Sequence, residues 1–270
     1  MISPKLKQHF RYSAILLKQL VITDFKLRYK GSVLGYAWSV LKPLLMFAIL
    51  YLVFGVIFKA GRGVPNFPIY LLLGIVLWSF FAEVTQQSLG SIVARGDLIR
   101  KIRIPRWLII VSASASALIN FTINLAVVFV FALATGMDLL ITSFFLPLFI
   151  LEIYLFALGL SLILSALFVK YRDISHVWDV VIQAGFYATP ILYPLTMIAN
   201  PDVQKLLFIN PMAHAIQSSR NVFVTRETIT IGEAYGTPYA FLMPLLIVLF
   251  LLVIGVLYFK KEAPNFAENI

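Results

Sequence analysis

Six long runs of apolar residues, separated by shorter charged segments, set the pattern of this chain. They cover 34–58, 69–94, 107–135, 141–169, 177–197 and 239–259. A helix needs about 20 apolar residues, range ~17–25, to cross the hydrocarbon core of a bilayer. Each run meets that length. Polar interruptions are few: Lys42-Pro43 in the first run, Glu83 in the second, Glu152 in the fourth and Asp179 near the start of the fifth. The pattern predicts an all-α integral membrane protein with six transmembrane helices over 34–259, preceded by residues 1–33 and followed by a short tail, 260–270.

The segments outside the six runs carry patterns of their own. In 1–33, Phe10, Ala14, Leu17, Val21 and Phe25 recur at helical spacing, with Lys18, Lys26 and Arg28 off that stripe. This predicts a basic amphipathic helix lying on the inner leaflet. A cleavable signal would instead place one apolar run between a basic start and a small-residue cleavage site. Between the last two runs, 203–209 and 212–224 are apolar pieces too short to cross. Asn210-Pro211 divides them, an N-cap followed by proline at the first helical position. Two short re-entrant helices within 200–226 are expected, covered by protein or a water-filled cavity because bare backbone is not tolerated in hydrocarbon.

Composition sharpens the class. Hydrophobic residues make 61% of the chain and charged residues 13%, against about 45–50% and 25% in soluble domains. Mean hydropathy is +0.93. An ordinary soluble domain and a nucleic-acid-binding module are excluded, although the net charge is +10. That charge is better explained by topology: 16 of the 22 basic residues fall on the side that holds both ends, which places the ends in the cytoplasm. There is no cysteine, and His9, His176 and His214 are far apart, so neither disulfide nor metal chemistry is indicated. A phosphate-binding GxxxxGK[ST] loop is also missing, so this chain is not expected to hydrolyse ATP or to bind a cofactor.

Ionisable groups inside spans are costly and point to function. Lys42 reads either as a side chain snorkelling to the interface or as a cation at the mouth of a pathway. Glu83 heads a polar stretch with Thr85, Gln86, Gln87 and Ser88; Glu152 is deep and isolated; Asp179 reads as helix N-terminal charge. The aromatics Trp38, Trp78, Trp107, Trp178 and Tyr239 suit interfacial belts. Tyr36, Tyr51, Phe80, Phe186, Tyr187 and Tyr193 are candidates to line a conduit, where ring faces stack on sugars. Ser112 and Ser116 in a Ser/Ala run suggest close helix packing. In the inner loop 95–106, Asp97 begins a short helix whose Leu98, Ile99 and Ile102 share a face, ringed by Arg100, Lys101 and Arg103. Such a helix plugs into a groove on a partner, although positive-inside bias explains the charge equally well. An ion-coupled carrier, which would show paired broken helices, and a membrane enzyme, which would need paired carboxylates or a nucleophile with its base, are the competing classes.

Four stretches resemble one family. They are DFKLRYKGSVLGYAWSVLKP over 24–43, GDLIRKIRIP over 96–105, YRDISHVW over 171–178 leading into FYATPILY over 186–193, and NPMAHAIQSSR over 210–220. In this order, on six spans, the chain resembles the membrane subunit of type-2 ABC transporters that export lipid-linked cell-surface polymers. It departs from that family's usual pattern at Tyr171 and Lys42. The resemblance implies two copies of this chain and two separate ATPase subunits, with ATP and magnesium held by the ATPases. Residues 96–104, chiefly Asp97, Leu98, Ile99, Arg100, Lys101 and Ile102, would couple to the ATPase. The amphipathic helix, through Asp24, Arg28, Tyr29 and Lys30, would lie at the interface among membrane lipids. The translocation path would run between the two copies past Tyr36, Lys42, Tyr51, Phe80, Glu83, Phe186, Tyr187 and Tyr193. Leu206, Leu207, Phe208, Ile216 and Arg220 would belong to an outer gate. Within this family a wall teichoic acid exporter is favoured, with an O-antigen or capsular polysaccharide exporter as the alternative.

Overall fold

The computed structural model describes residues 4–28, 34–101 and 104–269. Among them every regular element is helical. The principal helices are α1 (Pro4–Arg28), α2 (Ala37–Leu50), α3 (Phe67–Ala94), α4 (Gly96–Lys101), α5 (Trp107–Ala134), α6 (Leu146–Lys170), α7 (Ile174–Ala188), α8 (Pro201–Phe208), α9 (Pro211–Phe223), α10 (Ile231–Tyr235), α11 (Leu242–Glu262) and α12 (Phe266–Asn269).

Among the described residues five helical stretches are long and apolar enough to cross a membrane: Ala37–Ile57, Phe67–Ala94, Trp107–Ala134, Ile141–Lys170 and Pro238–Asn265. The first runs unbroken through Pro43 and widens into a π-helical turn over Tyr51–Ile57. The fifth apolar run, 177–197, behaves differently. Its helix, α7, has 15 residues, or about 22 Å of rise, short of the ~30 Å hydrocarbon core. Pro190 explains the stop, because a residue before proline is pushed out of the helical region. Thr189 takes φ −87, ψ 140.

Buried side chains collect at both ends and along the middle of the bundle. At one end, which we call the basic end, Ile92 of α3, Ile109 of α5, Ala166 of α6 and Phe259 of α11 cluster with Ile104 and Phe266. Leu16 of α1 and Leu98 and Ile99 of α4 pack onto that cluster. The first and last helices of the chain thus meet at the same end. At the far end, Leu195, Phe208 and Ile231 gather the short helices α8 and α10. Between them α3 is the hub; from Ile69 to Phe81 only Ser79 and the backbone of a glycine interrupt a series of buried apolar side chains. Helices α6 and α11 touch backbone to backbone. A Cβ on Gly255 would stand 2.4 Å from the carbonyl oxygen of Gly159, so the crossing requires the absence of side chains there.

Helix α1 docks along the bundle with Ser13 buried and Leu16, Leu17, Leu20, Val21 and Asp24 half-buried, while Ala14 is exposed. Of the stripe read from the sequence, Leu17 and Val21 thus face the bundle and Ala14 does not, while the side chains of Phe10 and Phe25 lie outside the described residues. Asp24 accepts from Arg95, whose other nitrogen donates to Ser112 Oγ at 2.8 Å. The serine run of α5 is buried as expected of close packing: Ser114 bonds Tyr154 of α6 at 3.0 Å. Two of the expected belt residues lie inside instead. Trp78 and Trp178 are buried, and the Trp178 indole N–H donates to Thr85 Oγ1 at 3.1 Å. Trp38, Trp107 and Tyr239 are exposed.

Candidate functional site

The polar stretch of α3 builds the site. Ser79, Glu83 and Gln86–Gln87 recur at three and four residues, so they share one helical face. On α5, Asn120 and Asn124 do the same and face them. The Glu83 carboxylate accepts from Asn120 Nδ2 at 2.7 Å through one oxygen and from Gln87 Nε2 at 2.8 Å through the other. Asn124 Nδ2 in turn donates to the Asn120 carbonyl at 2.9 Å. A carboxylate at this depth is costly unless donors replace its water, and two amides do so here. The Asn120 side-chain oxygen is buried with no hydrogen-bond partner among the described residues.

These groups open onto a cavity of about 670 Å³. Helix α2 supplies Lys42, Trp38 and Ser39 to its wall, and α7 supplies Gln183, Phe186 and Tyr187. The floor contains Phe80, which stacks on Phe121 with centroids 4.3 Å apart. Beside it Asp179 accepts from Gln86 Nε2 at 3.1 Å, so this acid is a cross-helix partner rather than a helix-end charge. One carboxylate, one ammonium, several amides and aromatic faces make a wall that exchanges hydrogen bonds with hydroxyl groups and covers apolar ring faces. Among the described residues there is no group of three or more His, Asp or Glu that would hold a metal ion.

Of the expected path residues, Lys42, Phe80, Glu83, Phe186 and Tyr187 line this one cavity. The other three stand elsewhere. Tyr36 is exposed at the start of α2, Tyr51 stacks on Phe47 at 5.7 Å, and Tyr193 packs half-buried against the core. Asn120, Asn124 and Gln183 were missed in the sequence. The signal for the two asparagines is amides spaced four apart inside an apolar run; Gln183 stands alone in its own run.

The expected gate residues also divide. Leu206 is exposed, Leu207 half-buried, and Phe208 closes the far-end cluster. Ile216 and Arg220 lie in the core on α9. Helix α9 starts on the expected cap, with Asn210 accepting from Met212 N, and α8 starts on a second one, Asn200, which accepts from Asp202 N. Arg220 is fully buried. Its Nε donates to Tyr70 O at 3.0 Å, Nη1 to Pro190 O at 2.6 Å and Nη2 to Ile191 O at 2.7 Å. Its guanidinium also lies 3.6 Å over the Tyr70 ring. One side chain thereby joins α9 to the start of α3 and to the segment that leaves α7. The partner of Glu152, unreadable in the sequence, is His214 of α9, whose Nδ1 stands 2.8 Å from one carboxylate oxygen.

At the basic end, α4 forms over six residues of the expected 96–104. Asp97, Arg100 and Lys101 are exposed, while Leu98 and Ile99 turn inward to the basic-end cluster. Asp24 makes the ion pair with Arg95 already described. The side chain of Arg28 and the residues Tyr29, Lys30 and Ile102 lie outside the described residues.

Known proteins match over most of this chain. Residues 15–224 match the family described as ABC-2 type transporter. An O-antigen export system permease protein RfbA of Klebsiella pneumoniae is 32% identical over 267 residues, which cover 98% of this chain and 99% of that protein. One from Myxococcus xanthus is 29% identical over 218 residues, 80% of this chain and 83% of the relative. A polysialic acid transport protein KpsM of Escherichia coli is 25% identical over 214 residues, 78% and 82% of the two chains. With the family matched across three-quarters of its length, and five helices among the described residues long and apolar enough to cross a membrane, this chain belongs to the ABC-2 type transporter family as a multi-pass membrane subunit.

Proposed function

We propose that this chain is the permease of an ATP-driven exporter that carries a lipid-linked surface polysaccharide, of the O-antigen or capsular type, across the cytoplasmic membrane. The observation that carries the reading is the cavity around Glu83. It offers amides and aromatic faces, the chemistry of a sugar chain, with one lysine as the only cation among the described residues of its lining. A polyol-phosphate chain would ask for several cations. The relatives also favour this choice over teichoic acid, since those that match are named for O-antigen export and polysialic acid transport. The unpartnered Asn120 oxygen is an acceptor available to a sugar hydroxyl.

Six crossings complete the reading, with α7 and the segment to Leu195 making the sixth. That run passes beside α3 from the level of Gln86 to the level of Tyr70. Both ends then lie in the cytoplasm, in keeping with the basic residues around α4. Two copies flank the polymer, and two ATPase subunits bind ATP and magnesium below them. Helix α4 meets the ATPase through its outward Asp97, Arg100 and Lys101, because Leu98 and Ile99 are occupied by their own bundle. Helices α8 and α9 form the outer gate.

Depletion of this chain tests the reading. Surface polysaccharide should vanish while a lipid-linked glycan poor in phosphate builds up inside. A phosphate-rich polyol chain would restore the teichoic acid assignment. With no lipid-linked polymer accumulating, export itself would be the wrong activity.

A further inference from the structure

A second hollow, of about 590 Å³, lies at the basic end, away from the Glu83 cavity. Its walls are apolar: Leu158 and Leu162 of α6, Leu252, Val256 and Phe259 of α11, and Val111 of α5. The Gly159–Gly255 contact holds α6 and α11 together on one side. Val253 and Leu257 of α11 are exposed next to its lining residues, so an apolar outer face of the bundle flanks it. Two cations line it, Arg106 from the start of α5 and Lys260 from the end of α11, with Trp107 half exposed beside them. Arg106 donates to the carbonyl of Ala263, which fixes its place and uses one of its five N–H groups. The positive end of the α5 dipole lies beside Arg106. The acid of the neighbouring turn, Glu262, is engaged by Lys170 at 3.3 Å.

We infer that this hollow binds an anionic phospholipid of the surrounding bilayer, with an acyl chain between α5, α6 and α11 and the phosphate on Arg106 and Lys260. A basic pair on an apolar hollow between membrane helices is the arrangement that selects acidic head groups. A free phosphate would leave the apolar walls unused, and a zwitterionic lipid would bring its own cation to two others.

The test is native mass spectrometry of the full chain in a neutral detergent, given dioleoylphosphatidylglycerol and dioleoylphosphatidylcholine in equal amounts. Phosphatidylglycerol should be retained in preference. Lys260→Ala, at an exposed position whose loss leaves folding untouched, should weaken that retention about fivefold. Val256→Trp, which fills the hollow, should remove it. Lys261→Ala, one residue away and outside the lining, should leave it unchanged. Equal retention of the two lipids would overturn the site, as would an equal loss in Lys260→Ala and Lys261→Ala, which would mean diffuse surface charge. Displacement of phosphatidylglycerol by a polyprenyl phosphate at matching concentration would also overturn it, in favour of the lipid carrier.

Discussion

Helices α2 and α9 invert the rule that apolar residues go inside. Across 40–57, the eighteen-residue apolar window of the Ala37–Ile57 stretch, no residue is buried; only Ser39 before it is. In α9, a helix with His214, Gln217, Ser218, Ser219 and Arg220 in sequence, twelve of the thirteen residues are buried. In water the first would collapse inward and the second would face solvent. Hydrocarbon removes the drive to bury apolar groups and raises the cost of exposing polar ones, so polar side chains end up pairing with each other inside. The difference teaches that polar groups are drawn inside in α9, where Arg220 and His214 find partners and Gln217 Nε2 and Ser219 Oγ find none among the described residues, while α3 is buried as an apolar hub.

Removing Arg220 should be the most damaging way to break that contrast. Arg220→Ala strands the carbonyls of Tyr70, Pro190 and Ile191 and leaves a hole against the Tyr70 ring. A loss of about 3–5 kcal/mol is expected, the range of large core truncations that also orphan buried partners. Thermal unfolding of the detergent-purified chain measures it. Arg220→Lys keeps the charge without the planar fork, so it should recover only part of the loss. A near-neutral Arg220→Ala would mean that α9 is held by its apolar contacts alone.

Next comes Gly74→Ala on α3. An added Cβ would stand 2.4 Å from Arg220 Nη2, with Ile191 behind it, so the guanidinium must shift off its carbonyls. The expected cost is about 1–3 kcal/mol, as for other overpacked sites. If the two sites act through one network, Gly74→Ala should add little to Arg220→Ala in the double variant. Full additivity would show that Gly74 is needed for some other reason.

Glu152→Ala sharpens the comparison from the other side of α9. It leaves His214 buried without its carboxylate, at about 1–3 kcal/mol. Glu152→Gln retains an acceptor and should cost less. Should Gln prove as damaging as Ala, the charge of the pair would matter more than the hydrogen bond.

How much of this was legible follows from the range over which each interaction acts. Hydropathy is local, so α3, α5 and α11 begin and end within a few residues of the apolar runs, and Asn210-Pro211 marked the start of α9. Lys42, Glu83 and Phe186 were singled out because charges and rings stand out within their own runs. Partners were not legible: Glu152 and His214 are 62 residues apart, and Tyr70 and Arg220 are 150 apart. Asn120 and Asn124 were lost inside an apolar run for the same reason, since only the facing Glu83 gives them a role. Trp78 and Trp178 were assigned to the interface by type, whereas their depth is set by Thr85 and Phe186 across the α3–α7 contact. The early end of α7 was written in Pro190, but composition outweighed it.

The smallest effect is expected on α2. Ile49 is 64% exposed in the single chain. If that face meets lipid, Ile49→Ala trades one apolar surface for another, and stability should change by less than about 0.5 kcal/mol. The same substitution in a packed core costs about 2–5 kcal/mol. A core-sized loss in the purified assembly, measured beside the isolated chain in detergent, would mean that another protein surface covers Ile49. Helix α2 would then stand beside α9 as a buried element whose partner is supplied from outside the chain, and the contrast between the two would become one between self-completed and borrowed packing.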